Sequence, residues 1–315
     1  TFPIPILYLL PKALCQRRLA DHRCTIKQLL MVCWHTQNLK FKTIMKFFLF
    51  LCCCSLSGFA QKVVVQDSQG RPIEYVNIGV KGTSKGLISD EQGGFSLEAL
   101  HAKDTDSIYF GHLSYKHKVL IKKDITDKVV LEAAEIVLPE ATFTAKQPKE
   151  RTLKGKGLPT IVTMSIPAPA EKETTENEEG NKEELGDFIS LHKDTFLTKF
   201  EMNIVANTLD RCVLRVVVYQ SNKEHTLFKP LIERPIYIEV PASRKRQIFT
   251  KELSVFAPKG VIWVALQPVE LKGSKDSELR IRCRANGGWT RTTIDNILEK
   301  IPLGLGIPFS VKGRQ

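Results

Sequence analysis

Residues 61–146 change character every few positions, and that rhythm constrains the fold more than any other feature. Val63-Val64-Val65 is followed by the turn-forming Asp67-Ser68-Gln69-Gly70-Arg71-Pro72. Ile73 to Val80 alternates, with Glu74, Val76, Ile78 and Val80 on the more apolar face and Ile73, Tyr75 and Asn77 opposite. Gly82 and Gly86 bracket a turn, Ile88 leads into Asp90-Glu91-Gln92-Gly93-Gly94, and Phe95-Ser96-Leu97 follows. Ile108 to Phe110, Tyr115 to Ile121, Val129 to Leu131 and Ile136 to Thr144 complete the series. About seven short strands with no helical period predict an antiparallel β-sandwich, because each half-apolar sheet must bury one face on another layer. Gly93-Gly94 supplies positive φ ahead of a strand at low steric cost.

Strands return at 190–315. Phe196 to Asn207 alternates weakly. Arg211 to Gln220 sets Cys212, Leu214, Val216 and Val218 on one face. Pro235 to Val240, Ile248 to Phe256 and Val261 to Leu266 are further strands. Glu278 to Ala285 is the clearest: Leu279, Ile281 and Cys283 point inward while Arg280, Arg282 and Arg284 point outward. Thr293 to Lys300 reads as a short helix with Ile294, Ile297, Leu298 and Ile301 on one face. The segment reads as a second, jelly-roll-like β-sandwich with one short helix. Residues 147–189 read as a flexible acidic linker. They hold Pro148, Pro159, Pro167 and Pro169, and the run Glu171 to Asp187 carries eight acids and two lysines. So polar a run has too little apolar surface to offset its ordering entropy.

The front of the chain reads as targeting sequence. Residues 1–44 show no sustained period and hold three of the eight cysteines. Met45-Lys46, the apolar run Phe47 to Leu56 and Ser57-Gly58-Phe59-Ala60 have a signal-peptide layout, with cleavage expected after Ala60. The apolar run is too short to span a bilayer, which takes about 20 residues. Translation is accordingly expected to begin at Met45, with 1–44 an upstream, non-native segment. A lipid anchor at Cys52, Cys53 or Cys54 is the less fitting alternative, since Leu51 is not a small residue. The first sixty residues hold eight of 46 basic and one of 34 acidic side chains, so the net charge of +12 falls to +5 without them. That removes the main support for nucleic-acid binding. Cysteines fall from eight to two, Cys212 and Cys283, which excludes a disulfide framework and leaves one buried disulfide or two inert thiols, with thiols favoured.

Val65-x-Asp67-x-x-Gly70-x-Pro72-Ile73, Val76-Asn77-Ile78, Gly82-Thr83, Gly86 and Ser89-Asp90-x-x-Gly93-x-Phe95 resemble the carboxypeptidase-regulatory-like domain. Leu138-Pro139-Glu140-Ala141-Thr142-Phe143-Thr144-Ala145 is similar to its closing strand. The resemblance implies that 61–146 is a transthyretin-like, seven-stranded sandwich of the kind common in exported proteins of Bacteroidetes. It implies a non-catalytic module, and the zinc-binding residues of true carboxypeptidases are not recognisable.

Motifs for chemistry are sparse. Ser190-Leu191-His192-Lys193 fits Ser-x-x-Lys, but that chemistry needs serine and lysine one helical turn apart, and this stretch borders strands. His101, His112, His117, His192 and His225 show no compact metal-ligand spacing. Gly304-Leu305-Gly306 lacks the third glycine of a dinucleotide loop, and Gly82-Thr83-Ser84-Lys85-Gly86 lacks phosphate-loop spacing. The strongest surface feature is the Arg280, Arg282, Arg284 triplet. With Arg244-Lys245-Arg246 it helps give residues 188–315 21 basic against 12 acidic side chains. Guanidinia at two-residue spacing suit carboxylates or phosphates. Trp289, after Gly287-Gly288 and beside Arg291, is the candidate for an aromatic sugar platform, while Trp263 lies in an apolar strand and reads as core.

The expectation is an exported, non-enzymatic binding or structural module of the cell envelope, in the periplasm or at the outer-membrane surface. An envelope protein or a glycan is its partner. Arg280, Arg282, Arg284, Trp289 and Arg291 form its ligand or anion surface. No catalytic residue, cofactor, metal, nucleic acid or transmembrane span after signal cleavage is expected. The alternative is a hydrolase with its active site in the C-terminal domain.

Overall fold

The computed structural model describes residues 62–135, 149–155, 157–169, 183–285 and 287–315. The expected leader, the closing strand at 136–144 and the centre of the acidic run lie outside them. The first half contains β1 (Lys62–Asp67), β2 (Asn77–Val80), β3 (Gly86–Ile88), β4 (Gly94–Ser96), β5 (Ser107–His112), β6 (Tyr115–Ile121) and β7 (Lys128–Leu131). They form two layers, ordered β4-β1-β7 and β3-β2-β5-β6. Val63, Val65, Val76, Ile78, Phe95, Ile108, Phe110 and Leu131 fill the space between. All pairings here are antiparallel except β1 with β7, which run parallel.

The second half begins earlier than composition suggested. It comprises β8 (Glu150–Lys154), β9 (Leu158–Pro167), β10 (Glu183–Leu191), β11 (Thr195–Ile204), β12 (Ala206–Asn207), β13 (Arg211–Ser221), β14 (Lys229–Pro230) and β15 (Ile236–Glu239). It continues with β16 (Gln247–Ala257), β17 (Gly260–Lys272), β18 (Glu278–Ala285), β19 (Trp289–Thr292), β20 (Leu298–Lys300), β21 (Leu305–Gly306) and β22 (Phe309–Arg314). A seven-stranded sheet runs β14-β13-β17-β10-β19-β20, with β15 also on β13. Facing it are two four-stranded sheets, β16-β11-β22-β8 and β12-β18-β21 with β9 also on β18. Ile189, Leu214, Val216, Val264, Phe200, Met202, Ile281 and Phe309 share the core between these layers.

Two expectations are corrected. The linker read at 147–189 supplies β8, β9 and most of β10. β8 pairs only with β22 and β9 only with β18 among the described residues, and a strand with one free edge tolerates prolines such as Pro159 and Pro167. Edge position is why composition concealed them. The helix expected at Thr293 to Lys300 is instead a turn followed by β20. Thr292 N–H donates to Ile297 O at 3.0 Å, closing a hairpin between β19 and β20, and Asn296 adopts φ 56°, outside helical geometry. Ile294 thereby leaves the spacing of a helical stripe and projects onto the first half.

β13 and β17 are buried on both faces. One face enters the core of the second half, and the other is covered by the first half. Leu113 packs with Val217, Tyr219, Trp263 and Ala265, and Tyr75 packs with Val213 and Val269. Arg215, 1% exposed, donates to Tyr75 O (3.0 Å) and to Gln267 Oε1 (2.5 Å), and Gln267 Nε2 donates to Asn77 Oδ1 (2.7 Å). Tyr75 OH donates to Glu270 Oε2 at 2.8 Å, and Ser114 Oγ to Glu233 O at 2.8 Å. Tyr75 and Asn77 lie on the alternation face read as outward, and it is this second layer that buries them. Cys212 and Cys283 are unbonded buried thiols, and burial pushes the Cys212 thiol up to about 12.

Two predictions follow from the joint. A β-carbon on Gly79 would lie 2.0 Å from Ile294 Cδ1. Gly79→Ala is expected to destabilise the chain by about 1–3 kcal/mol, measured by urea unfolding, whereas the same change in an Ile294→Ala background should cost much less. His112 is buried at the joint, and burial, then nearby Arg215, push its pKa from 6.5 down to about 3. A group held neutral in the folded state costs nothing above its unfolded pKa and takes away stability as pH falls below it. Stability should therefore drop by about 2 kcal/mol between pH 7 and pH 5 on account of His112. His112→Asn, which keeps an acceptor for the Ser114 amide, should abolish that share of the drop.

Candidate functional site

The strand pattern of β18 holds as read. Leu279, Ile281 and Cys283 are buried, and Arg282 is exposed on the opposite face, with Arg280 and Arg284 half-buried there. The arginines do not act as one row. Arg280 Nε lies 3.2 Å from Glu278 Oε1. Arg282 and Arg284 instead line a pocket of about 130 Å³ with Arg246, over Ile204, Val205 and Pro308. The backbone explains this convergence. Ile204 at the end of β11 is the register partner of Gln247, which brings Arg246 to the pocket. Val205 N–H donates to Arg280 O at 2.9 Å, which carries the chain from β11 across to the sheet of β18. Arg284 is paired with Gly306 of β21, two residues before Pro308. The pocket therefore sits on the seam between the two four-stranded sheets, and among the described residues no carboxylate lines it. Clustered guanidinia over an apolar floor favour an anion, which they meet with charge-assisted hydrogen bonds.

The other two expected site residues lie elsewhere, on β19 of the seven-stranded sheet. Arg291 is not on the surface: it is 3% exposed, and its Nε and Nη2 each donate to Glu184 at 2.8 Å. Trp263 Nε1 (2.8 Å) and Tyr219 OH (3.1 Å) donate to the same carboxylate. The guanidinium also lies 4.2 Å from the Phe228 ring centroid. Four donors fill the lone pairs of Glu184, so it is a closed structural centre. Burial opposes the charge of Arg291, yet the adjoining Glu184 leaves its pKa raised. Sequence reading missed Glu184 because it belongs to the acidic run. The useful signal was its place in Glu183 to Leu191, which alternates as a strand.

Trp263 is fully buried and cannot meet a ligand. Trp289 is half-buried, edge-on to Phe188 at 6.0 Å, with Lys300 Nζ 5.1 Å from its ring centroid. Ser190 lies on β10 and His192-Lys193 follow its end, so the helical spacing of a Ser-x-x-Lys site is absent. His225 stacks on Phe188 at 3.6 Å, and His117 Nδ1 meets Tyr109 OH at 2.7 Å. Among the described residues no group of three or more His, Cys, Asp or Glu is placed to hold a metal ion. A wider cleft of about 550 Å³ lies between Gly82-Thr83-Ser84 and the β19–β20 hairpin, lined by Glu183, Asp295 and Glu299 as well as Thr290 and Thr292. Its carboxylates make it the electrostatic opposite of the arginine pocket. No described helix is long and apolar enough to cross a membrane.

Residues 62–142 match the CarboxypepD_reg-like domain family. The first half is thus a CarboxypepD_reg-like β-sandwich, as the sequence resemblance implied, joined here to a larger antiparallel β body. No curated protein matches the chain. Two solved structures of infectious bursal disease virus, of the Gt and Gx strains, align at 9% and 10% identity with TM-scores of 0.28 and 0.25. They cover 80% and 76% of this chain, which spans only 62% and 60% of theirs. Scores of that size carry no argument about fold or function.

One prediction concerns the buried pair. Glu184→Ala strands a buried guanidinium and should cost about 3–5 kcal/mol in urea unfolding. Adding Arg291→Met should recover a large part of that loss.

Proposed function

We propose that the chain is an exported, non-enzymatic binding or structural module of the cell envelope, whose basic seam contacts an acidic component of that envelope. One observation carries this reading: Arg246, from one basic run, and Arg282 and Arg284, from another, line a single pocket with no carboxylate among its described lining residues. The buried charges do not compete for this role, since Glu184 and Arg291 satisfy each other in the interior. Export is supported by the layout of residues 45–60. In this reading the CarboxypepD_reg-like half is a buttress, locked to the seven-stranded sheet so that the basic seam is presented on a rigid body.

The test is an array of acidic and neutral glycans together with native envelope extracts, probed with wild-type protein and an Arg246→Ser, Arg282→Ser, Arg284→Ser variant. Wild type should bind acidic material with strong salt dependence, and the variant should lose tenfold or more in affinity, in line with the removal of three cationic contacts. Unchanged envelope binding by the variant overturns the assignment of this face. A reproducible turnover in a broad hydrolase screen overturns the non-enzymatic reading.

A further inference from the structure

We propose that the acidic component met by the arginine seam is a membrane surface, with a lipid phosphate group held in the pocket and exposed aliphatic side chains around it entering the headgroup layer. This rests on the anion-docking reading above and names its partner.

Charge gives the first argument. The pocket is lined by three arginines and, among the described residues, by no carboxylate, over Ile204, Val205 and Pro308. Three guanidinia suit a group with several terminal oxygens, such as a phosphate. A planar carboxylate has two oxygens, engaged by one guanidinium fork.

The second argument is independent of charge. Exposed aliphatics occur singly on most surfaces and mean little there. Here three come from separate elements, and each lies within a few residues of a strand position paired with a pocket residue. Ile161, 97% exposed, lies between Pro159 and Thr163, the register partners of Arg284 and Arg282. Leu303, 90% exposed, stands in the turn that leads into β21, where Gly306 partners Arg284. Ile248, 59% exposed, is two residues from Arg246 and partners Asn203 of the pocket wall. A soluble glycan has no use for this rim. A bilayer surface uses both parts, since cations are drawn to its phosphates and aliphatic side chains partition into the zone beneath them.

The experiment is sedimentation of the full chain with vesicles of phosphatidylcholine alone and of phosphatidylcholine mixed with phosphatidylglycerol, with soluble heparin as a non-lipid anion. The expected result is binding to the mixed vesicles at least tenfold tighter than to phosphatidylcholine. Arg246→Ser combined with Arg282→Ser, both at exposed positions, should lose that gain while the unfolding midpoint stays unchanged. Ile161→Ser with Leu303→Ser should weaken vesicle binding mainly at high salt, where long-range attraction is screened and insertion carries the remainder, and should leave heparin binding unaltered. Arginine-dependent heparin binding without vesicle binding overturns the lipid assignment and leaves the anion-docking reading standing. Binding to neither overturns both. Vesicle binding indifferent to the arginine pair, or to the aliphatic pair at high salt, also overturns the proposal.

Discussion

The structure depends on a sheet that is covered on both sides. β13 and β17 carry apolar side chains on each face, and neither face can be left to water. Burying the second face requires the CarboxypepD_reg-like half, and the burial brings a guanidinium with it. Arg215 is held by a backbone carbonyl of the first half and by Gln267 of the second, which in turn reaches Asn77. Hydrogen bonds of this type contribute little to net stability while they are made, and cost much more when one partner is left without the other. The joint is therefore specific as well as apolar. It closes in one arrangement, in which Arg215, Gln267 and Glu270 of the second half meet Tyr75 and Asn77 of the first.

Much of the architecture was legible from residue pattern alone. β6 and β18 begin and end where alternation placed them, and the face of β18 that carries Arg280, Arg282 and Arg284 was readable because strand side chains alternate without exception. What escaped was set by partners distant in sequence. Tyr75 and Asn77 look outward if the first sandwich stands alone, and become interior only when a second sheet covers them. β8 and β9 were hidden by composition, and Ile294 was drawn into a helical stripe when its real partners are Gly79 and Gly86. The candidate site divides in the same way. Arg282 and Arg284 belong to one strand and could be foreseen together. Their meeting with Arg246 depends on the register between β11 and β16, and Arg291 was misplaced because its counter-ion lay in a run that looked like linker.

The distribution of charge follows from this construction. The interior pair Glu184–Arg291 and the joint pair Arg211–Glu270, at 2.6 Å, combine acids and bases from strands that neighbour one another in the seven-stranded sheet. The outer seam, formed where one strand leaves a sheet for the next, gathers Arg246, Arg282 and Arg284 at one pocket. Fixed cations close together repel one another, and a rigid frame keeps them in place, as the proposed anion docking requires. Stability and recognition are in this sense parts of one arrangement.

The two prolines of β9 have an effect on behaviour in a crowded compartment. A ten-residue strand paired, among the described residues, on one side only is a template on which another copy could polymerise. Pro159 and Pro167 lack the amide hydrogens that such an addition would need near either end. The strand thus completes its own sheet while offering a neighbour too short a ladder to extend, which favours separate molecules over filaments.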